Sequence, residues 1–471
     1  MPVLSVRSPP GFLQAMAMAI AFVAACSAPL YAAPEYVPGE VLVRFKQPTS
    51  LTAARRVIPE AAAMADLGRD LKKVTLQPGL NVEQAMQSLQ GRPDIGWVQP
   101  NYIKHVQMVP NDPRYGDQWA LSKINAERAW DTTTGSIAAG SGVIVAVIDT
   151  GVDYDLPELS GNLWTSTNGW HGWNFVDGSS DLKEYCISCA HGTLVASVIG
   201  AAGNNSQGMA GVSWNPQLMI LRAMDDNGVG TTERVVNAIY YAILHKARII
   251  NTSLGSSSHD PAEYLALSDA RDAGVLVVAA ACNFGADSDI TPCFPASYDL
   301  ENIISVAATD GVDQLIHDST GKLQSNFGVT TVDLAAPGQH ILAALPAGMG
   351  AAYTSPSFVA QYGFGTGTSM AAPLVSGAAA LLWAHQPSLT WVEVKEKLLM
   401  SARPVPELKG KMLTGGVLDV AAALDYQARM VQGGGQQPES SRGGGGYLLI
   451  VELLWLAGAV LGLRRSRPRK I

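Results

Sequence analysis

The stretch Gly142 to Ile148, GVIVAVI, contains no polar side chain. A strand with one wet face alternates apolar and polar residues, so an unbroken apolar run needs apolar neighbours on both faces. Two layers of helix around a mostly parallel sheet meet that need. The chain between about 140 and 400 supplies the parts. Further strands are expected at Leu218 to Arg222, Ile249 to Ser253, Val275 to Ala281 and Ile303 to Ala308. Helices are expected at Leu194 to Ala202, Thr232 to His245 and Met370 to His385, the last apolar all round and therefore buried. The expected fold class is α/β, a three-layer domain with a mostly parallel central sheet.

A single core rarely exceeds roughly 250–300 residues, and the chain has 471. Residues 35–108 form a separate small α+β unit. The run Glu40 to Phe45 alternates as a strand, Asn81 to Leu89 is amphipathic, and Ile95 to Val98 is strand-like again. Asn111-Asp112-Pro113 then punctuates the chain and opens the main body, 110–427.

Both ends carry processing signals. Residues 1–33 have one early Arg7, an apolar stretch and small residues ending Tyr31-Ala32-Ala33, the anatomy of a secretory signal peptide. Val23-Ala24-Ala25-Cys26 offers a second cut, of the bacterial lipoprotein type. At the other end, 428–446 is a Gly-rich linker, 447–463 is an apolar transmembrane segment broken by Glu452, and 464–471 is a basic tail. A carboxylate near mid-span is costly, which favours a transient membrane tail, similar to bacterial C-terminal sorting signals, over a permanent anchor. The expected location is outside the inner membrane, secreted or on a bacterial cell surface. A net charge of -8 gives no support for nucleic-acid binding.

Beyond Cys26 the cysteines are Cys186, Cys189, Cys282 and Cys293. In an exported chain they suggest two disulfides, with three possible connectivities. One CxxC spacing makes zinc the weaker reading.

Acyl transfer needs a hydroxyl, a base to take its proton and a carboxylate to orient that base. Asp149 follows the buried strand, His191 opens one helix and Ser369 opens the most apolar helix. Each alone is an ordinary cap or turn residue. The longer motifs, VAVIDTGVD at 145–153, HGTLVAS at 191–197 and GTGTSMAAP at 365–373, resemble in that order the active-site signatures of subtilisin-like serine proteases. No G-x-S-x-G elbow or H-E-x-x-H zinc motif competes with them.

The resemblance covers roughly 110–427 and implies a serine endopeptidase acting on proteins or peptides, with Asp149, His191 and Ser369 as triad. It gives Asn283 the oxyanion role and Ser253, Leu254 and Gly255 the substrate-aligning strand. Gly228 and Gly230 fall on the opposite edge of the cleft. Ala280, Cys282 and Cys293 fall around the primary specificity pocket. Cys282 stands where a Gly is usual, and a Cys282–Cys293 disulfide lining or shrinking that pocket is expected, leaving Cys186–Cys189 as the second bridge. Leu194, Ser197 and Leu374 depart from the usual His, Gly and His and are expected to alter packing. Asp112, Glu158 and Asn205 match a calcium site, with Glu158 in place of the usual Asp; oxygen ligands suit Ca2+. The unit at 35–108 resembles the pro-domain, an intramolecular chaperone and inhibitor cut near Tyr102 to Val109 by the enzyme itself. A different class, a non-catalytic binding protein on the same scaffold, would not label at Ser369 with an organophosphonate.

Overall fold

The computed structural model describes the backbone of residues 36–103, 108–136, 142–184, 190–317, 321, 323–347 and 361–432, with side chains to Tyr426. The expected signal segment, the linker past 432, the apolar segment 447–463, the basic tail, Cys26 and the Cys186–Cys189 pair lie outside the described residues. Among the described residues no helix is long and apolar enough to cross a membrane. The chain divides into a unit ending at Leu424 and one beginning at Asp425; the account below concerns the first.

The N-terminal segment pairs β1 (Tyr36–Phe45), β2 (Ala61–Gly68), β3 (Leu71–Leu76) and β4 (Ile95–Tyr102) into an antiparallel sheet of order β2-β3-β1-β4. Helices α1 (Leu51–Val57) and α2 (Val82–Leu89) accompany it. Alternate residues of β1, Val41, Val43 and Phe45, enter a core with Val82, Ala85 and Leu89 of α2. Asn81 caps α2, its side chain accepting the Gln84 N–H at 2.7 Å. The edge strand β2, AAAMADLG, was not expected from sequence: it is alanine-rich and mostly exposed.

The main body opens with three short helices, α3 (Trp119–Lys123), α4 (Ala126–Trp130) and, after the first strand, α5 (Pro157–Ser160). Its sheet contains β5 (Ile144–Asp149), β6 (Gly172–Asn174), β7 (Gln217–Arg222), β8 (Ile249–Thr252), β9 (Leu276–Ala280), β10 (Ile303–Thr309) and β11 (Leu334–Pro337). The short strands β14 (Arg403–Pro404) and β15 (Gly416–Val417) complete nine, in the order β14-β15-β11-β10-β9-β8-β5-β7-β6. Every pairing is parallel except β14 with β15. A separate hairpin joins β12 (Ile341–Ala344) to β13 (Tyr362–Gly365).

The apolar run that opened the sequence reading is explained by two cores. Val145 and Val147 face one, with Ile249, Leu276, Val278 and the buried helix α9 (Thr368–His385). Ala146 and Ile148 face the other, with Val235 and Ile239 of α7 (Thr232–Leu244) and Ala266 and Leu267 of α8 (Pro261–Asp272). Helix α6 (His191–Gly200) lies on the α9 side, its Val195 and Ile199 fully buried. Helix α10 (Trp391–Met400) is held by a capping box between Thr390 and Glu393. The backbone of α11 (Val420–Gln432) continues past 427, into the start of the expected linker.

Candidate active site

Asp149 is the last residue of β5, the strand flanked by β7 on one side and β8 on the other. Such a point, where successive connections leave in opposite directions, opens a crevice at the carboxyl ends of the strands. His191 is the first residue of α6. Its Nδ1 lies 2.8 Å and 3.0 Å from the two oxygens of Asp149. The Asp149 side chain is 4% exposed and that of His191 36%, so the carboxylate is shielded while the ring reaches the surface. Burial opposes a charged imidazole, yet the Asp149 carboxylate outweighs it and holds the His191 pKa above its ordinary value.

Ser369 lies in the first turn of α9, behind Gly367, whose φ of +145° favours glycine. A Cβ on Gly367 would sit 3.3 Å from both Ser369 Oγ and Asn283 Nδ2, so hydroxyl and amide converge on one patch. Asn283 Oδ1 accepts the Thr368 N–H at 2.8 Å, which leaves Nδ2 as the free donor. Polar links tie this patch to β8: Ser253 Oγ donates to the Ser369 carbonyl at 3.1 Å, and Ser376 Oγ donates to Asn251 Oδ1 at 2.8 Å.

Asp149, His191 and Ser253-Leu254-Gly255 line a cleft of about 920 Å³ whose other edge includes Gly228, Gly230 and Val235. Behind Gly255 stands the Cys282–Cys293 disulfide, with Cα atoms 6.4 Å apart. A Cβ on Gly255 would collide with Cys282 Sγ and meet Cys293 Sγ at 2.9 Å, so the sulfurs fill the ground behind the strand. Cys282 has φ +80°, the left-handed region that accounts for a glycine at this position. Ala280, at the end of β9, is buried beside them. Ser256 pairs with Phe294 through two 2.8 Å backbone hydrogen bonds, which tie the segment after Gly255 to the segment after Cys293. The departures at 194, 197 and 374 are packing residues: Leu194 packs on Ala190 and Leu345, Leu374 is buried, and Ser197 Oγ donates to Leu194 O and accepts the Ala344 N–H.

Away from the cleft, both carboxylate oxygens of Asp112 accept backbone N–H groups, from Asn204 at 2.6 Å and Asn205 at 3.2 Å. Glu158 takes the Tyr362 hydroxyl on Oε1, while Oε2 is buried without a partner. Burial raises the Glu158 pKa, and the Asp112 charge adds to that. Asn205 Oδ1 accepts the Gln207 N–H at 2.8 Å.

Sequence reasoning missed Thr150, Glu184 and Asn326. Glu184 is buried against Thr150, Gly192 and Thr193. Asn326 Oδ1 accepts the N–H groups of Phe284 at 2.9 Å and Ala286 at 3.2 Å, fixing the loop after Asn283. Nothing in a single polar letter marks such residues, since their partners are distant in sequence.

A shielded carboxylate behind an imidazole, with a hydroxyl and an amide donor on neighbouring element ends, is the apparatus of a serine hydrolase on an α/β scaffold. The comparisons agree. The family model described as "Subtilase family" matches residues 140–439, and one described as "Fervidolysin N-terminal prodomain" matches 29–101. The chain belongs to the subtilase family. It is 37% identical over 350 residues to the thermophilic serine proteinase of Bacillus sp. (strain AK1), covering 74% of this chain and 78% of that protein. It is 30% identical over 420 residues to the extracellular protease of Xanthomonas campestris pv. campestris, covering 80% of this chain and 69% of the other. A solved protease from Pseudoalteromonas arctica PAMC 21717 superposes with a TM-score of 0.55 at 29% identity, covering 68% of this chain and 99% of that one. The enzyme is a serine endopeptidase preceded by a pro-domain.

Proposed function

We propose that the chain is an exported endopeptidase in which Ser369 attacks the scissile carbonyl, His191 takes and returns the proton, and Asp149 orients and stabilises the imidazolium. The observation that supports this reading is the forked 2.8 and 3.0 Å contact of His191 Nδ1 with Asp149; with Nδ1 so engaged, Nε2 is the nitrogen that would serve Ser369. The hydroxyl adds to the carbonyl carbon as its proton passes to Nε2. The oxygen then bears the negative charge, facing Asn283 Nδ2 and the Ser369 backbone N–H. Collapse of the tetrahedral species expels the amine, protonated by His191, and leaves an acyl-enzyme. Water, deprotonated by the same imidazole, hydrolyses it. Losing one such amide donor in an enzyme of this type slows turnover by about 10²–10³.

Substrate lies extended along Ser253-Leu254-Gly255, paired through its backbone, so recognition tolerates many sequences. The sulfurs behind Gly255 restrict the primary pocket and favour small side chains before the scissile bond. The pro-domain occupies the cleft until its own cleavage near Tyr102 to Val109. Export by the N-terminal signal accords with a relative whose name describes it as extracellular, and the tail beyond 447 serves as a transient membrane stop.

Asp112, Glu158 and Asn205 would hold Ca2+. The orphaned Oε2 of Glu158 and an all-oxygen donor set fit a hard cation. The ion would supply a structural clamp between the segment at 112 and the loop at 205, with no part in the chemistry.

Labelling by an organophosphonate tests the central assignment. The full chain, once autoprocessed, should take up one label, on Ser369, and Ser369→Ala should take up none. A scaffold kept only for binding would stay unlabelled in both forms.

A further inference from the structure

Glu184 is 2% exposed, and among the described residues its carboxylate bonds to the two segments that carry Asp149 and His191. Oε1 accepts the Thr150 hydroxyl at 2.5 Å and the Gly192 N–H at 3.1 Å. Oε2 accepts the Thr193 N–H at 3.2 Å and the Thr193 hydroxyl. Thr150 directly follows Asp149, and Gly192 and Thr193 directly follow His191. A buried carboxylate is costly to keep, and a purely structural clamp between two loops could be made from neutral groups.

Thr150 explains what the charge adds. Its Oγ1 accepts the Gly192 N–H at 2.9 Å and lies 3.1 Å from Asp149 Oδ1 as well as 2.5 Å from Glu184. A hydroxyl has one proton to give. While Glu184 is ionised, that proton goes to the nearer acceptor, Glu184. When Glu184 is protonated it becomes a donor, and the Thr150 proton turns to Asp149 Oδ1. The added hydrogen bond makes Asp149 less basic and weakens its grip on the imidazolium. No proton crosses between the carboxylates; only the direction of one hydroxyl changes.

We propose that Glu184 is a positioning residue for catalysis: it clamps the ends of β5 and α6 and, through the Thr150 hydroxyl, sets the hydrogen-bond load on Asp149. The inference rests on the assignment of Asp149 and His191 as the base pair. The surrounding charges fit the role. Burial pushes the Glu184 pKa up to about 7, and the Asp149 charge adds to that, while the Thr150 and Thr193 hydrogen bonds oppose it. Glu184 in turn helps raise the His191 pKa. Of the cations nearby, Arg222 is engaged by the Lys183 carbonyl and Asp226, and the Lys183 ammonium by Asp155 and Asp153.

The test is the pH dependence of kcat/KM on a peptide substrate from about pH 5 to 9, with the fraction of phosphonate-reactive Ser369 measured alongside. In the wild-type chain the acid limb should be broader than a single ionisation, because each Glu184 that takes a proton loosens Asp149's hold on the imidazolium and lowers the His191 pKa as the limb is crossed. In Glu184→Gln it should sharpen to one ionisation and move to lower pH by about half a unit or more, as a neighbouring charge is lost. Glu184→Asp should keep the wild-type slope even at a lower rate. An unmoved acid limb in a labelled Glu184→Gln enzyme overturns the proposal and leaves the triad standing. Absence of label in the wild-type enzyme overturns the triad, and this inference with it. Should Glu184→Gln not fold, Thr150→Val carries the same test: its acid limb should narrow toward one ionisation while Thr150→Ser keeps the wild-type breadth, and a wild-type breadth in Thr150→Val refutes the relay.

Discussion

His191 Nδ1 faces both carboxylate oxygens of Asp149, at 2.8 and 3.0 Å, so the ring direction is set by a group that solvent hardly reaches. Replacing Asp149 by Asn preserves shape but removes the charge that holds the imidazole in the working tautomer. We expect Asp149→Asn to lower kcat by about 10⁴. The wild-type acid limb should lie above the ordinary histidine range, since burial disfavours the charged ring but Asp149 more than compensates. Activity requires neutral His191, so it rises as pH rises through that raised value. In Asp149→Asn the limb should move down. Steady-state kinetics across pH measures both.

Asn283 should behave differently from the triad. Its Nδ2 meets only the charge that develops during reaction, so Asn283→Ala should lower kcat by about 10²–10³ with little change in KM. A comparable rise in KM would instead mark it as a ground-state contact.

The disulfide behind Gly255 makes a prediction about preference. Removing both sulfurs in Cys282→Gly/Cys293→Gly opens the ground they fill and suits the left-handed backbone at 282. The ratio of kcat/KM for a Phe over an Ala residue before the scissile bond should rise by roughly 10–200-fold, the range of pocket-size effects. An unchanged ratio would place the limit on side-chain size elsewhere.

Gly255→Ala asks the converse question. The new methyl has no room beside the sulfurs, and overpacking of this kind costs about 1–3 kcal/mol. Thermal unfolding should show the loss, while Gly228→Ala, at a site with no atom close enough to meet the methyl, reports only the strain of its positive φ.

Calcium removal should act on stability and not on the chemical step. If the ion is present at about 100 times its Kd, it contributes about 2.7 kcal/mol, and chelation should lower Tm by on the order of 5–10 °C. Asp112→Ala should abolish that chelator sensitivity. Burial raises the Glu158 pKa, and the ion needs the carboxylate ionised, so affinity should fall as pH drops toward that raised value.

The sheet was legible in the sequence wherever burial on both faces produced unbroken apolar runs, as in β5, β9 and β10. Helix α8 was not, because its buried stripe rests on Ala266, Leu267 and Ala270, small residues with a weak period, although Asp260-Pro261 is a good start signal. Strands β12 and β13 were missed because each has only four residues and their pairing is non-local. At the site, residues inside contiguous motifs could be read as strings. Glu184 could not: it bonds to Thr150, 34 positions away, and the contact exists only after folding. Cys282 with Cys293 came from resemblance rather than from spacing.

The proposed site draws on positions 149, 191, 283 and 369, each at or just beyond the end of a different element. That arrangement also has an order in time. As the chain is made from its N-terminus, the carboxylate and imidazole are synthesised long before the hydroxyl, which arrives with α9. A chain interrupted anywhere before 369 holds a base with nothing to activate, and no fragment that ends short of it can cut. The first peptide bond the enzyme breaks in itself therefore reports that the sheet has closed, and the same layout that builds the site keeps half-made copies harmless.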